Sequence, residues 1–93
     1  VPFFEAVLKN HKTAEIQYYY GVSLLQINEY IKAETVFNEL KSGTSLYREK
    51  SVWNLALIKL KHKDYKGCKQ ILQTISQDFE YYDEVQELLR ALE

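Results

Sequence analysis

Any chemistry in this 93-residue chain has to begin with two histidines, one cysteine and a knot of lysines. His11 and His62 each fall at a junction between helical segments, with no second histidine beside them, whereas a metal pair on a helix needs ligands three or four residues apart. Both read as solvated turn residues. Cys68 sits in a slot that recurs earlier in the chain as Ala33, which makes it a small core residue rather than a reactive thiol. Ser, His and Asp are all present, yet there is no nucleophile elbow and no glycine-rich phosphate loop. Lys59, Lys61, His62, Lys63 and Lys66 cluster around one turn and could meet phosphates, but they read as a solvated edge facing an acidic final helix. No catalysis, metal or cofactor is expected.

Composition sets the outer limits. Apolar residues make up 46% and charged residues 27%, the balance of a globular protein rather than a disordered one. A chain of this length forms one small domain and buries about 60–65% of its unfolded surface. Apolar runs such as 55–58 fall far short of the ~20 residues of a membrane helix. One cysteine excludes an internal disulfide, and no signal peptide is visible, so a reducing compartment such as the cytoplasm is expected. The start at Val1 reads as a piece of a longer protein.

The net charge of −1 conceals segregation. Residues 47–78 carry seven basic side chains against three acidic ones, and residues 79–93 carry Arg90 against five acids. Overall neutrality speaks against a dedicated nucleic-acid binder. The opposed blocks are expected to attract each other, within one chain or between two copies.

The elements that must position these groups are helices, since apolar residues recur at three and four and strand alternation is absent. A short apolar segment runs from Phe3 to about Asn10. Thr13 caps the next, which carries Ile16, Tyr20, Leu24 and Ile27, with Asn28 as a left-handed stop or the start of the succeeding helix. Tyr30, Ala33, Val36, Phe37 and Leu40 repeat until Gly43. Thr44 or Ser45 is the expected cap of a helix carrying Val52, Leu55, Ala56, Lys59 and Leu60. Asp64 caps one with Tyr65, Cys68, Ile71, Leu72 and Ile75 on one side, and a last helix runs from about Phe79 to Leu92 with Tyr81, Val85, Leu88 and Leu92 inward.

An offset of 35 residues brings Tyr18 onto Trp53, Gly21 onto Ala56, Leu25 onto Leu60, Tyr30 onto Tyr65, Ala33 onto Cys68 and Phe37 onto Leu72. Small residues thus recur where two helices of a pair would cross, and bulky ones recur four positions beyond. Each pair is apolar on more than one side and must stack on neighbours to be stable.

The runs Gly21…Glu29-Tyr30-x-x-Ala33-x-x-x-Phe37 and Ala56…Asp64-Tyr65-x-x-Cys68-x-x-x-Leu72 resemble tetratricopeptide repeats, in a bacterial style, over residues 14–78. Lys59 against Leu24, Leu72 in place of an aromatic, and the lack of a closing proline depart from the pattern. The resemblance implies an all-α, right-handed superhelix of helical hairpins. In it, residues 1–12 are the trailing helix of an earlier repeat, 13–43 and 44–78 are two repeats, and 79–93 are a capping helix.

By the same resemblance the first helix of each pair lines a concave groove. Tyr18, Val22 and Leu25 then stand beside Trp53, Leu57 and Leu60 as apolar anchors, with Glu15, Gln26, Lys50 and Lys61 at the rim. Relatives that clamp a C-terminal carboxylate use Lys and Asn here. Tyr18, Val22, Trp53 and Leu57 occupy those places, and Asn54 is expected to point elsewhere. The expected function is non-catalytic binding of a protein partner, a peptide or helix held by apolar contacts. The alternative is a structural or oligomerisation segment of a longer repeat protein, with a homodimer as one form.

Overall fold

A computed structural model of the chain describes residues 13–93, so the expected helix at Phe3–Asn10 lies outside the described residues, as does His11. The described chain is all-α, with five helices and no strand among the described residues: α1 (Ala14–Gln26), α2 (Tyr30–Lys41), α3 (Arg48–Lys61), α4 (Tyr65–Leu72) and α5 (Tyr82–Ala91). Helices adjacent in the chain pack on each other, α1 on α2, α2 on α3 and α3 on α4, with a lighter contact between α4 and α5. No described helix is long and apolar enough to cross a membrane.

The starts and stops obey local chemistry. Thr13 Oγ1 accepts from the Ile16 N–H at 3.2 Å and Asp64 Oδ1 from the Gly67 N–H at 3.0 Å, so both expected caps are in place. The ends of α1 and α3 share one turn. Asn28 and Lys63 both have φ 62°, and the amides after them reach back in parallel. Glu29 N–H donates to Leu24 O, and Asp64 N–H donates to Lys59 O, each at 2.9 Å. Asn28 N–H to Leu25 O and Lys63 N–H to Leu60 O, each at 3.0 Å, complete the helix-terminating Schellman pattern. These turns lie 35 residues apart, the offset of the sequence repeat.

Small side chains then set how closely the helices approach. Ala33, Ala56 and Cys68 are wholly buried, and Gly21 is buried with them. A Cβ on Gly21 would come within 2.8 Å of Cε1 and Cζ of Phe37, so the glycine makes room for the ring inside its own helix pair. Phe37 also extends to the next pair, sharing a cluster with Leu24, Ala33, Leu40, Leu55 and Ile58. A second cluster joins Val52 and Ala56 of α3 to Cys68, Leu72, Ile75, Phe79 and Val85. α3 therefore contributes to both cores, with Leu55 and Ile58 on one flank and Val52 and Ala56 on the other.

Four local expectations are corrected. Ser45 does not cap α3. Its Oγ accepts from Tyr47 N–H at 3.2 Å, closing a turn ahead of a helix that starts at Arg48 without a side-chain cap. The last helix begins at Tyr82 rather than Phe79, because residues 76–81 are spent on local turns: Phe79 N–H donates to Ser76 O and Tyr82 N–H to Phe79 O. Phe79 consequently points inward and Tyr81 is 43% exposed. Tyr65, the first residue of α4, is also exposed, since the helix seats itself through Cys68 and Leu72 with Ile71 packed beside them. Ile27, expected on the inner stripe of α1, is 55% exposed at the turn.

Lys63 holds a left-handed conformation that costs a non-glycine residue about 1–2 kcal/mol. Lys63→Gly should therefore raise stability by about 0.5–1 kcal/mol in urea unfolding, the left-handed penalty less glycine's extra chain entropy. Asn28→Gly should gain less, because Asn28 Oδ1 accepts a 2.9 Å hydrogen bond from Tyr30 Oη that glycine would forfeit.

Candidate functional site

The six expected anchors are all half-buried, but they do not form one continuous trough. Tyr18, Val22 and Leu25 pack against the first core, whereas Trp53 and Leu60 pack against the second. Helix geometry explains the split. At about 100° per residue, Trp53 and Leu60 lie between the Val52–Ala56 flank and the open side of α3, so they lean toward the second core. The Trp53 ring stands 6.4 Å from the ring of Phe79. The middle of the open side is the line Lys50, Asn54, Leu57 and Lys61, spaced four, three and four. Lys50 and Lys61, expected at the rim, share that central line with Leu57. Glu15 and Gln26 on α1 are exposed, and with the 47%-exposed Tyr19 and half-buried Val22 they repeat the line 35 residues earlier.

Leu25, Leu57 and Lys61 do come together. With Tyr30, Asn54 and Ile58 they line an open pocket of about 260 Å³ between the end of α1, the start of α2 and the second half of α3. Leu57 belongs to neither core cluster, so its side chain is spent on the pocket wall. The Tyr30 ring is held edge-on by His62, with centroids 4.9 Å apart, and by its own hydroxyl bond to Asn28. His62 is exposed, as expected of a turn residue, and it also braces that wall.

Asn54 does not point away. Its amide donates to Tyr18 Oη at 3.0 Å and to the Lys50 carbonyl at 2.8 Å, tying α1 to α3 beside the pocket. Burial raises the Tyr18 phenol above its ordinary value, opposed by the Asn54 hydrogen bond and by the charge of Lys50. Tyr18, Tyr19 and Tyr47 form a ring cluster, with centroids 5.1 Å apart for Tyr18–Tyr47 and 5.5 Å for Tyr18–Tyr19. Lys50 Nζ lies 5.6 Å from the Tyr47 centroid and 3.1 Å from Glu80 Oε1. The Glu80 hydrogen bond raises the Lys50 ammonium, so it stays charged. As site residues the sequence pattern leaves out Tyr30 and Ile58 and sets Asn54 aside. The signal for Asn54 was available in the four-three-four spacing on α3 and that for Tyr30 in the tyrosine that opens each second helix, whereas Ile58 reads as core, which it also is.

A second hollow, of about 360 Å³, lies where the loop before α3 meets the turns before α5. Three of its five charged side chains are already used in folding: Lys50 pairs with Glu80, and Glu49 Oε1 accepts from Ser76 N–H at 3.2 Å. Among the described residues no group of three or more His, Cys, Asp or Glu side chains gathers as a metal site would require.

These placements give two measurable outcomes. Trp53→Ala should cost at least about 2 kcal/mol in chemical denaturation, whereas Leu57→Ala, which leaves both cores intact, should cost under about 1 kcal/mol. The Cys68 thiol, fully buried, is pushed above its ordinary value first by burial and then by Asp64. Its contribution to stability is complete below the ordinary thiol range and is lost as pH climbs toward the raised native value, because the unfolded chain ionises first. Labelling by an aromatic disulfide reagent at mildly alkaline pH should be slow in the native chain and immediate in denaturant. No protein-family model, curated protein or solved structure matches the chain, so its functional reading rests on this geometry.

Proposed function

We propose that the chain is a non-catalytic protein–protein interaction module of tetratricopeptide type, a right-handed array of helical hairpins that holds a peptide or helix by apolar anchors. One observation carries the reading: Leu57 joins neither core and instead walls an open pocket with Leu25, Tyr30 and Ile58. A folded chain this small gains stability by burying such a side chain, about 1.5–3 kcal/mol when burial is complete. Leaving it on an aromatic-edged pocket favours a role in recognition. Asn54 and Tyr18 make the floor rigid, and Lys61 supplies one charge at the edge. The ligand is gripped chiefly by a single inserted apolar side chain, with Val22 and Tyr19 extending contact along α1. A reducing compartment such as the cytoplasm suits the free thiol of Cys68.

Selection from a random displayed-peptide library should enrich sequences with a leucine-sized or aromatic anchor. Fluorescence anisotropy should then show Leu57→Asp weakening them by at least about tenfold, ~1.4 kcal/mol, with the unfolding midpoint nearly unmoved. Peptides that bind the Leu57→Asp chain as tightly as the parent would place recognition elsewhere.

A further inference from the structure

The segregated charges of the chain are not matched within its described residues. Lys61, Lys63 and Lys66 surround the turn from α3 to α4, and Asp83, Glu84 and Glu87 stand on the first turns of α5. All six side chains are exposed, and among the described residues none is in an ion pair. The ion pairs that do form there are local. Lys59 reaches Asp64 across its own turn at 3.9 Å, and Glu80 reaches Lys50 at 3.1 Å.

The fold keeps the two groups apart. The Lys50–Glu80 pair fixes the acidic start of α5 beside the first turn of α3, whereas Lys61 lies eleven residues farther along α3, about 16 Å at 1.5 Å per residue. That is roughly twice the ~8 Å over which charges are felt at physiological salt. One copy therefore has a basic end at the α3–α4 turn and an acidic end at the start of α5, and none of the six side chains pairs with another within it.

We propose that a second copy of this chain docks side by side and antiparallel, so that the lysine end of each copy meets the acidic end of the other. A two-fold arrangement makes the same contact twice, and so satisfies both unmatched groups with one surface. Lysine–carboxylate pairs on exposed helices are individually weak, so the association is reversible and salt-sensitive. The dimer contact shares Lys61 with the peptide pocket, its other side chains lie outside the pocket lining, and it does not depend on peptide binding.

Charge exchange between the ends tests it by sedimentation velocity. The parent chain should sediment as a dimer at about 0.01 M salt, with a screening length of ~30 Å, and as a monomer at about 1 M, where it is ~3 Å. Asp83→Lys/Glu84→Lys/Glu87→Lys and, separately, Lys61→Glu/Lys63→Glu/Lys66→Glu should each be monomeric at low salt with helical circular dichroism retained. An equimolar mixture of the two should recover the dimer mass. A parent chain that stays monomeric at low salt overturns the proposal, and so does a mixture of folded variants that fails to pair.

Discussion

Everything in this fold depends on α3 being buried along two flanks at once. Leu55 and Ile58 close the core that α1 and α2 begin, and Val52 and Ala56 open the core that α4 and α5 complete. A helix used in this way has only a narrow strip left for solvent, and the residues on that strip become the accessible chemistry of the molecule. Ala56 is the pivotal residue, since a larger side chain there would push α3 away from α4. Gly21 has the parallel role one pair earlier, where the Phe37 ring occupies the space a Cβ would need.

The same constraint explains the paired turns. Two helices can meet along their lengths only if the chain reverses within a few residues, and α1 and α3 both do so with a left-handed residue and two backward hydrogen bonds. Neither turn uses glycine, so Asn28 and Lys63 carry backbone strain that the surrounding contacts must outweigh. Asn28 is eased by its hydrogen bond from Tyr30, which also helps orient the pocket wall. Local turn chemistry and the candidate site are thus linked through a single tyrosine.

The aromatic residues are partitioned between helix contacts and the open surface. Trp53, the largest side chain in the chain, serves the contact between α3 and the Phe79 turn, and Tyr18 serves the contact between α1 and α3. The open strip is left with Leu57, Tyr19, Tyr30 and the alternating lysines, narrower and more mixed than a purely apolar groove. Separation of the charged blocks comes from helix direction: successive turns of antiparallel helices fall at alternate ends, so the lysine turn after α3 and the acidic turns after α4 lie apart.

The sequence by itself determined the helical class, the 35-residue spacing, the Thr13 and Asp64 caps and the small residues at Gly21, Ala33, Ala56 and Cys68. Each of these is written in residues near one another in the chain or in a side-chain size that permits only one environment. Only the tertiary structure decided which stripe of α3 stays open. Trp53, Leu57 and Leu60 look alike in a sequence pattern. Their fates diverge because a rotation of about 40° along a helix decides whether a side chain leans on the next core or stands clear of it. Asn54 and Tyr30 entered the site for the same reason, since their partners, Tyr18 and His62, lie far from them in sequence and meet them only once the helices are stacked.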